Sequence, residues 1–334
     1  MNTKISVLMP VKNAAKYLEE CIQSIISQEE ENWELIAVND HSNDTSKEIL
    51  MDFQRRDDRI KCFDNKGFGI IPALQTAYHK SSGQLIHRMD ADDLMPKNKL
   101  SLLKENLIQI GQGNLVTAKV KYFASEGVSD GYQQYEAWLN DLCDRGLHWE
   151  SIYKECVVPS PCWMVYREDF ENCGAFQSDI YPEDYDLCFR FFKHGLRVHA
   201  IQEVLHLWRD HTERTSRNHE HYQQNAFFEI KLHYFLQLHH EANRPLVIWG
   251  AGKKGKIMAK LLQEKGVKFH WVSNNPNREG KEVYGQLMQS YKEIIQKDNP
   301  QVIITVAQRG ANKEIEFFLD SLQLRKGRDY FFFR

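Results

Sequence analysis

No stretch of this chain reaches the roughly 18–20 consecutive apolar residues that a helix needs to cross a bilayer. A helical membrane-spanning protein is therefore not expected, and only peripheral membrane association stays open. No long basic run occurs and the formal net charge is −3, so nucleic acid is not an expected partner. The seven cysteines are odd in number and form no C-x-x-C pair. No signal peptide is expected, because Asn2, Thr3 and Lys4 lead straight into a strand-like run. A reduced, cytoplasmic setting is the expectation, with attachment at the inner membrane face left open. Internal repeats and low-complexity tracts are also missing. What remains is ordinary globular material, 42% apolar and 27% charged, and 334 residues suggest two domains. A homo-oligomer is neither required nor excluded.

Short apolar runs alternate with helical spacing. "ISVLMP" (5–10), "WELIAVND" (33–40), "RIKCF" (59–63) and "GQLIHRM" (83–89) read as strands. Between them Ala14, Leu18, Cys21, Ile22, Ile25 and Ile26 recur at helical spacing, with Asn13 as a helix N-cap. Further helices are expected near 71–80, 97–110, across most of 131–158, over 181–195 and over 219–238, with a strand at 114–123. "HLWRDHTERTSR" (206–217) reads as a polar loop. "HHEANRP" (239–245) reads as a linker, after which strands at 245–249, 268–273, 301–307 and 329–333 restart the pattern. Such alternation predicts α/β units around largely parallel sheets. The expected organisation is a domain over 1–238, a linker at 239–244 and a small domain over 245–334.

Polar residues fall at the carboxyl ends of these strands, where open α/β sheets bind ligands. Asn39 and Asp40 follow the second strand, and "HRMDADDLM" (87–95) places Asp90, Asp92 and Asp93 after the fourth. At about 4 Å and an effective dielectric near 20, each like-charged pair costs roughly 4 kcal/mol. A hard dication such as Mg²⁺ or Mn²⁺ relieves that repulsion and also bridges to diphosphate oxygens. The same residues also suit a solvated acidic turn before the next helix. "EDYD" (183–186) has a similar double reading, since acidic residues suit a helix N-terminus.

The segments "SVLMPVKNAAKYLEECIQSIISQ", "LIAVNDHSNDTS", "GFGIIPALQTAYHKSSGQLIHRMDADD" and "PEDYDLCFRFFKHG" together resemble family 2 glycosyltransferases of the GT-A fold. The likeness covers about residues 1–235. The whole resembles bacterial two-domain members with a small Rossmann-like tail.

It implies an inverting, metal-dependent transfer of sugar from a nucleotide-sugar donor, a UDP-sugar, to a saccharide or lipid-linked saccharide in surface-glycan synthesis. It places Pro10, Val11 and Asn13 at the nucleoside, Asp40 at the base, and Asp90 near the ribose and the metal. Asp92 takes the metal-ligand position. Asp184 takes that of the catalytic base, with Glu183 beside it. "WRDH" (208–211) resembles the family's R-x-H element, making Arg209 a phosphate contact and His211 a further metal ligand. Arg214 and Arg217 read as surface charges, although either could close over a diphosphate. Relatives of this type often carry histidine where Ser160 stands, so the acceptor is not transferable. Cys162 reads as a small buried residue.

Two other functions fit the α/β pattern. A nucleotidyltransferase would need a glycine- and basic-rich first loop, and "MPVKNAAKY" has neither character strongly. A non-catalytic sugar-nucleotide scaffold would need no base. In the tail "GAGKKG" completes G-x-G-x-x-G at Gly250, Gly252 and Gly255, a possible second nucleotide site. The acidic residue expected about 20 positions on is missing, which favours a tight structural turn.

Overall fold

A computed structural model describes residues 3–125, 127–214, 227–306, 308 and 310–333. The chain divides into two compact units. One holds residues up to 148 together with 157–214, and the other holds 149–156 with the described residues from 227 on.

In the first unit the expected apolar runs become β1 (Ile5–Val11), β2 (Trp33–Asn39), β3 (Ile60–Asp64) and β4 (Leu85–Arg88), followed by β5 (Asn114–Phe123), β6 (Trp163–Tyr166) and β7 (Arg197–Arg209). They form one sheet in the order β3–β2–β1–β4–β6–β5–β7. Every residue of β2 is buried, as a strand covered on both faces requires. Val11 lies opposite Asn39, Asn39 opposite Asp64, and Leu8 opposite Arg88. The carboxyl ends of β1 to β4 therefore share one edge. The sheet is mixed, because β6 runs antiparallel to both β4 and β5. Its four residues are too few to show a period, and the sequence pattern passes over them.

The helices of this unit are α1 (Ala15–Ile26), α2 (Ser46–Arg56), α3 (Ile70–Lys80), α4 (Lys99–Ile110), α5 (Asp130–Arg145), α6 (Arg167–Asn172) and α7 (Glu183–Lys193). Three local expectations change. Asn13 does not cap α1; it sits at φ +49° and its Oδ1 accepts from the Asn43 N–H at 2.9 Å. The amides at the start of α1 are met instead by Ser46 Oγ from the first turn of α2, at Ala14, and by Asp44 Oδ2 from the β2–α2 loop, at Ala15. The long helix expected over 131–158 stops at Gly146, whose left-handed φ of +66° ends α5. Residues 206–209 are strand rather than loop, paired with Val120–Phe123 after two register shifts in β7. Their polarity imitated a loop because His206 is buried there against Asp93 and the partly buried Arg209 pairs with Glu20.

The second unit is a six-stranded sheet built from β8 (Leu246–Trp249), β9 (His270–Ser273), β10 (Glu282–Val283), β11 (Gln286–Ser290), β12 (Gln301–Ile304) and β13 (Tyr330–Phe332). Its order is β10–β11–β9–β8–β12–β13, parallel except for the β10–β11 hairpin. Helices α8 (Phe227–Leu238), α9 (Lys253–Glu264) and α10 (Ala311–Ser321) accompany it. Segment 149–156 and α8 belong to this unit although both precede the 239–244 linker. The cause is aromatic packing: the Tyr153 ring stacks on Phe333 at 4.8 Å and meets Phe235 and Phe331 edge-on.

Glu34, near the start of β2, ties the first unit's strands together. It is 1% exposed and accepts from Lys4 Nζ at 2.8 Å, Lys61 Nζ at 3.1 Å, Ser6 Oγ at 2.8 Å and the Ser82 N–H at 2.5 Å. Burial opposes its ionisation, but these donors outweigh burial and hold its carboxyl well below the usual range. A carboxylate whose pKa falls on folding stabilises the native state above its unfolded pKa and loses that contribution as pH falls. Glu34→Gln is expected to lower stability at pH 7 by about 2–3 kcal/mol. In urea titrations the gap to wild type should narrow steadily below about pH 4.5.

Candidate functional site

The three aspartates after β4 have three different environments. Asp90 accepts from Arg88 Nε at 3.1 Å through Oδ1. Asp92 directs Oδ2 to His211 Nε2 at 2.9 Å. Asp93 is 1% exposed and turns away from the edge, with His206 Nε2 at 3.1 Å on Oδ2 and the Arg209 N–H at 2.8 Å on Oδ1. Splaying the carboxylates onto separate cationic or N–H partners reduces the predicted repulsion without removing it: burial, with Asp92 and Asp90 close by, still pushes the Asp93 carboxyl well up. Burial opposes ionisation of Asp92, but His211 and Arg214 hold it below the usual carboxylate range.

Asp40 follows β2 and is 3% exposed. Its oxygens accept from Asn65 Nδ2 at 2.6 Å and from the Gly69 N–H at 3.0 and 3.1 Å, and Lys12 Nζ stands 3.3 Å from Oδ2. Gly69 has φ +93°, a conformation open to glycine, and this presents its amide. Asp40 therefore organises the loop after β3. Beside it His41 Nε2 lies 2.8 Å from the Gly67 carbonyl, which can only accept, so Nε2 carries the proton and donates it. The His41 ring stacks on Phe68, which is 78% exposed. Pro10 and Val11 close β1 at the same edge, and the Val11 carbonyl accepts the Asp40 N–H at 2.7 Å.

Helix α7 brings the second acidic group. Glu183 is 4% exposed, and its Oε1 accepts from Arg88 Nη1 at 3.0 Å. The same guanidinium also contacts Asp90, with Nη2 at 3.0 Å from Oδ1. One buried arginine thus joins the turn after β4 to the start of α7. Glu183 is thus held in an ion pair with Arg88 beside Asp184. Asp184 beside it is only partly buried, and its carboxyl is pushed up to about 7 by burial and by Glu183, against the pull of Arg88. A group poised there accepts protons near neutrality.

Arg209 ends β7 as a clamp. Its Nε donates to the Asp92 carbonyl at 2.7 Å and Nη2 pairs with Glu20 at 2.6 Å, while the guanidinium lies over Tyr17 and Phe123. His211 packs on the Tyr17 ring at 4.7 Å. Arg214 is not a surface charge. It is 9% exposed, faces the rings of Tyr122, Tyr132 and Trp208, and donates to the Arg209 carbonyl at 3.0 Å. Arg217 lies outside the described residues.

Residues 6–174, half of the chain, match the model of Glycosyl transferase family 2. The chain belongs to that family. An uncharacterized glycosyltransferase of Haemophilus influenzae is 29% identical over 243 residues, covering 68% of this chain and 72% of that one. Glycosyltransferase GlyA of Streptococcus pneumoniae is 28% identical over 154 residues, covering 46% of this chain but only 22% of that longer protein. The crystal structure of S. aureus TarS 1-349 in complex with UDP-GlcNAc superposes with a TM-score of 0.54 at 15% identity, covering 88% of this chain and 78% of that one. That likeness supports the GT-A fold. Among the described residues no helix is long and apolar enough to cross a membrane.

Most of the expected site of this family 2 glycosyltransferase gathers on one edge: Val11, Asp40, Asp90, Asp92, Glu183, Asp184, Arg209 and His211. Asn13 is held through Asn43, beside the α1 start. Cys162 is fully buried, and burial pushes its thiol up. Arg88, Lys99 and His206 were missed. Arg88 stood inside "HRMDADD" as a charge in a buried run, which was the available signal. Lys99 and His206 carried none, since each reads as solvated until its partners are known.

In the tail, a Cβ on Gly255 would lie 2.0 Å from the Gly250 carbonyl oxygen, and one on Gly250 would lie 2.3 Å from Thr305 Oγ1. Those two glycines are required by close packing of β8, α9 and the segment after β12. Gly252 instead meets nothing within 4 Å and borders an open cleft of about 370 Å³ with Lys253, Lys256, Lys260 and Arg278.

Removing Arg88 strands two carboxylates, one of them buried. Arg88→Met is expected to cost about 3–5 kcal/mol. Adding Glu183→Gln to it should return part of that loss in chemical denaturation, because the uncompensated buried charge disappears.

Proposed function

We propose that this enzyme transfers a sugar from a nucleotide-sugar donor, a UDP-sugar, to a hydroxyl of a saccharide or lipid-linked saccharide with inversion at the anomeric carbon, in bacterial surface-glycan synthesis. The observation that carries the reading is the Arg88 bridge: one guanidinium touches both Asp90 and Glu183. It joins the turn after β4 to the N-terminus of α7, which carries Asp184, and this supports a shared site for donor and base. A base and a leaving group that act on one sugar need this closeness. The family resemblance supports the donor class and the glycan setting.

In this reading Pro10, Val11 and Asp40 border the base and nucleoside, and Asp90 faces the ribose. Asp184 takes the proton from the acceptor hydroxyl as that oxygen attacks the face opposite the departing diphosphate. Glu183 orients Arg88 and raises the proton affinity of Asp184 rather than acting as a base itself. Arg209 fixes the peptide of Asp92.

Asp92 and His211 are the groups suited to a Mg²⁺ or Mn²⁺ ion, since a carboxylate oxygen and an imidazole nitrogen 2.9 Å apart match two neighbouring ligands of one cation. Among the described residues no set of three or more His, Cys, Asp or Glu gathers as a ready-made metal site. This donor set fits a dication that fills its shell with diphosphate oxygens and water. When bound, such a cation supplies charge stabilisation for the leaving diphosphate.

Thermal-shift measurements with UDP- and GDP-sugars, with and without Mn²⁺, test the donor. A metal-dependent rise in Tm with one UDP-sugar is expected. No shift with any sugar nucleotide would overturn the reading, and release of pyrophosphate rather than UDP on turnover would redirect it to nucleotidyl transfer. Asp184→Asn should lower kcat by about 10²–10⁴-fold while donor binding stays near wild type. With wild type, kcat/KM should rise with pH through an apparent pKa near 7, because Asp184 acts only when deprotonated. In Asp184→Asn the residual rate should lose that limb.

A further inference from the structure

Behind the acidic turn lies a chain of polar groups that no step above uses. Lys99 opens α4, and its whole residue is 0% exposed. Its Nζ donates to the Pro161 carbonyl at 2.7 Å and meets His206 Nδ1 at 3.1 Å. His206, also 0% exposed, meets Asp93 Oδ2 through Nε2 at 3.1 Å. Asp93 Oδ1 accepts the Arg209 N–H at 2.8 Å, and the Arg209 side chain holds the Asp92 carbonyl at 2.7 Å. Reciprocal backbone hydrogen bonds of 3.0 Å between Leu94 and Leu207 close the same junction.

The direction of these hydrogen bonds is fixed by chemistry. An ammonium only donates, so His206 Nδ1 must accept. The imidazole proton then sits on Nε2, where it donates to Asp93. Asp93 accepts on both oxygens, from His206 Nε2–H and from the Arg209 N–H, which an amide in the same orientation cannot do.

We propose that Lys99, His206 and Asp93 form a one-way hydrogen-bonded chain of positioning residues that locks the turn after β4 against β7, so that Asp92 and His211 face a single cation. The inference rests on the glycosyl-transfer reading for its consequence, though its wiring is independent of any ligand. Partners behind metal ligands typically change metal affinity by about 10–100-fold when removed.

The polarity makes a specific pair of substitutions diagnostic. Asp93→Asn keeps size but presents an N–H that collides with the Nε2–H of His206 or with the Arg209 N–H. Lys99→Met keeps length and frees His206 to carry its proton on Nδ1. Together they let His206 Nε2 accept from the amide introduced by Asp93→Asn, and the pair leaves the net charge unchanged.

Nitrogen-15 histidine spectra, with the His206 signal assigned by its loss in His206→Gln, should show neutral imidazole with the proton on Nε2 in wild type and on Nδ1 in the double variant. Calorimetry with Mn²⁺ and UDP on folded protein should show each single variant weakened at least about tenfold and the double within about threefold of wild type. A wild-type proton on Nδ1, an imidazolium, or a double variant no better than the worse single overturns the chain. A merely structural role would lower Tm in each variant but leave the affinity of the folded protein and the tautomer unmoved. If wild type binds neither Mn²⁺ nor UDP, the glycosyl-transfer reading fails, and the tautomers of wild type and double variant still uphold or overturn the wiring.

Discussion

The guanidinium of Arg88 is the point on which the site depends. It is a buried charge at the end of β4, and a buried charge persists only when paired. Its partners come from very different distances in sequence, Asp90 two residues on and Glu183 ninety-five residues away. Meeting both obliges α7 to start against the carboxyl end of β4. It also pairs Glu183 with a cation and leaves Asp184, one residue on, with a proton affinity raised by burial and by Glu183. Structural pairing and chemical poise therefore follow from one contact.

The acidic turn shows how the same problem is solved three times within four residues. Each carboxylate finds a different partner: Arg88 for Asp90, His211 for Asp92, and His206 with a backbone amide for Asp93. Two of these partners lie on or just after β7, whose register shifts bring His206 to Arg209 alongside Val120 to Phe123. Bulged strands commonly re-aim side chains next to functional sites. Arg209 and Arg214 also brace this segment from behind, through carbonyls and aromatic faces.

Around Asp40 the logic is similar. Asp40 spends its hydrogen-bonding capacity on Asn65 and the Gly69 amide, which shapes the loop carrying the exposed Phe68. Further along the chain, the second unit uses two of its three fingerprint glycines for packing, since a side chain at Gly250 or Gly255 would overlap neighbouring atoms. A motif that signals phosphate binding in one context is here first of all a way to bring a strand and a helix close together.

Sequence alone determined the strands β1 to β5, β8, β9, β12 and β13, the α/β class, the family, and the cluster of acidic residues at strand ends. Periodicity and strand-end polarity are local properties, and burial of whole strands follows from them directly. Only the tertiary structure decided that β6 runs antiparallel and that 206–209 are strand. It also decided that 149–156 belongs with the second unit, and that Glu183 is paired while Asp184 is available. Each of these depends on partners far apart in the chain. A histidine, lysine or arginine reads as solvated until the structure supplies the carboxylate or carbonyl that makes its burial favourable.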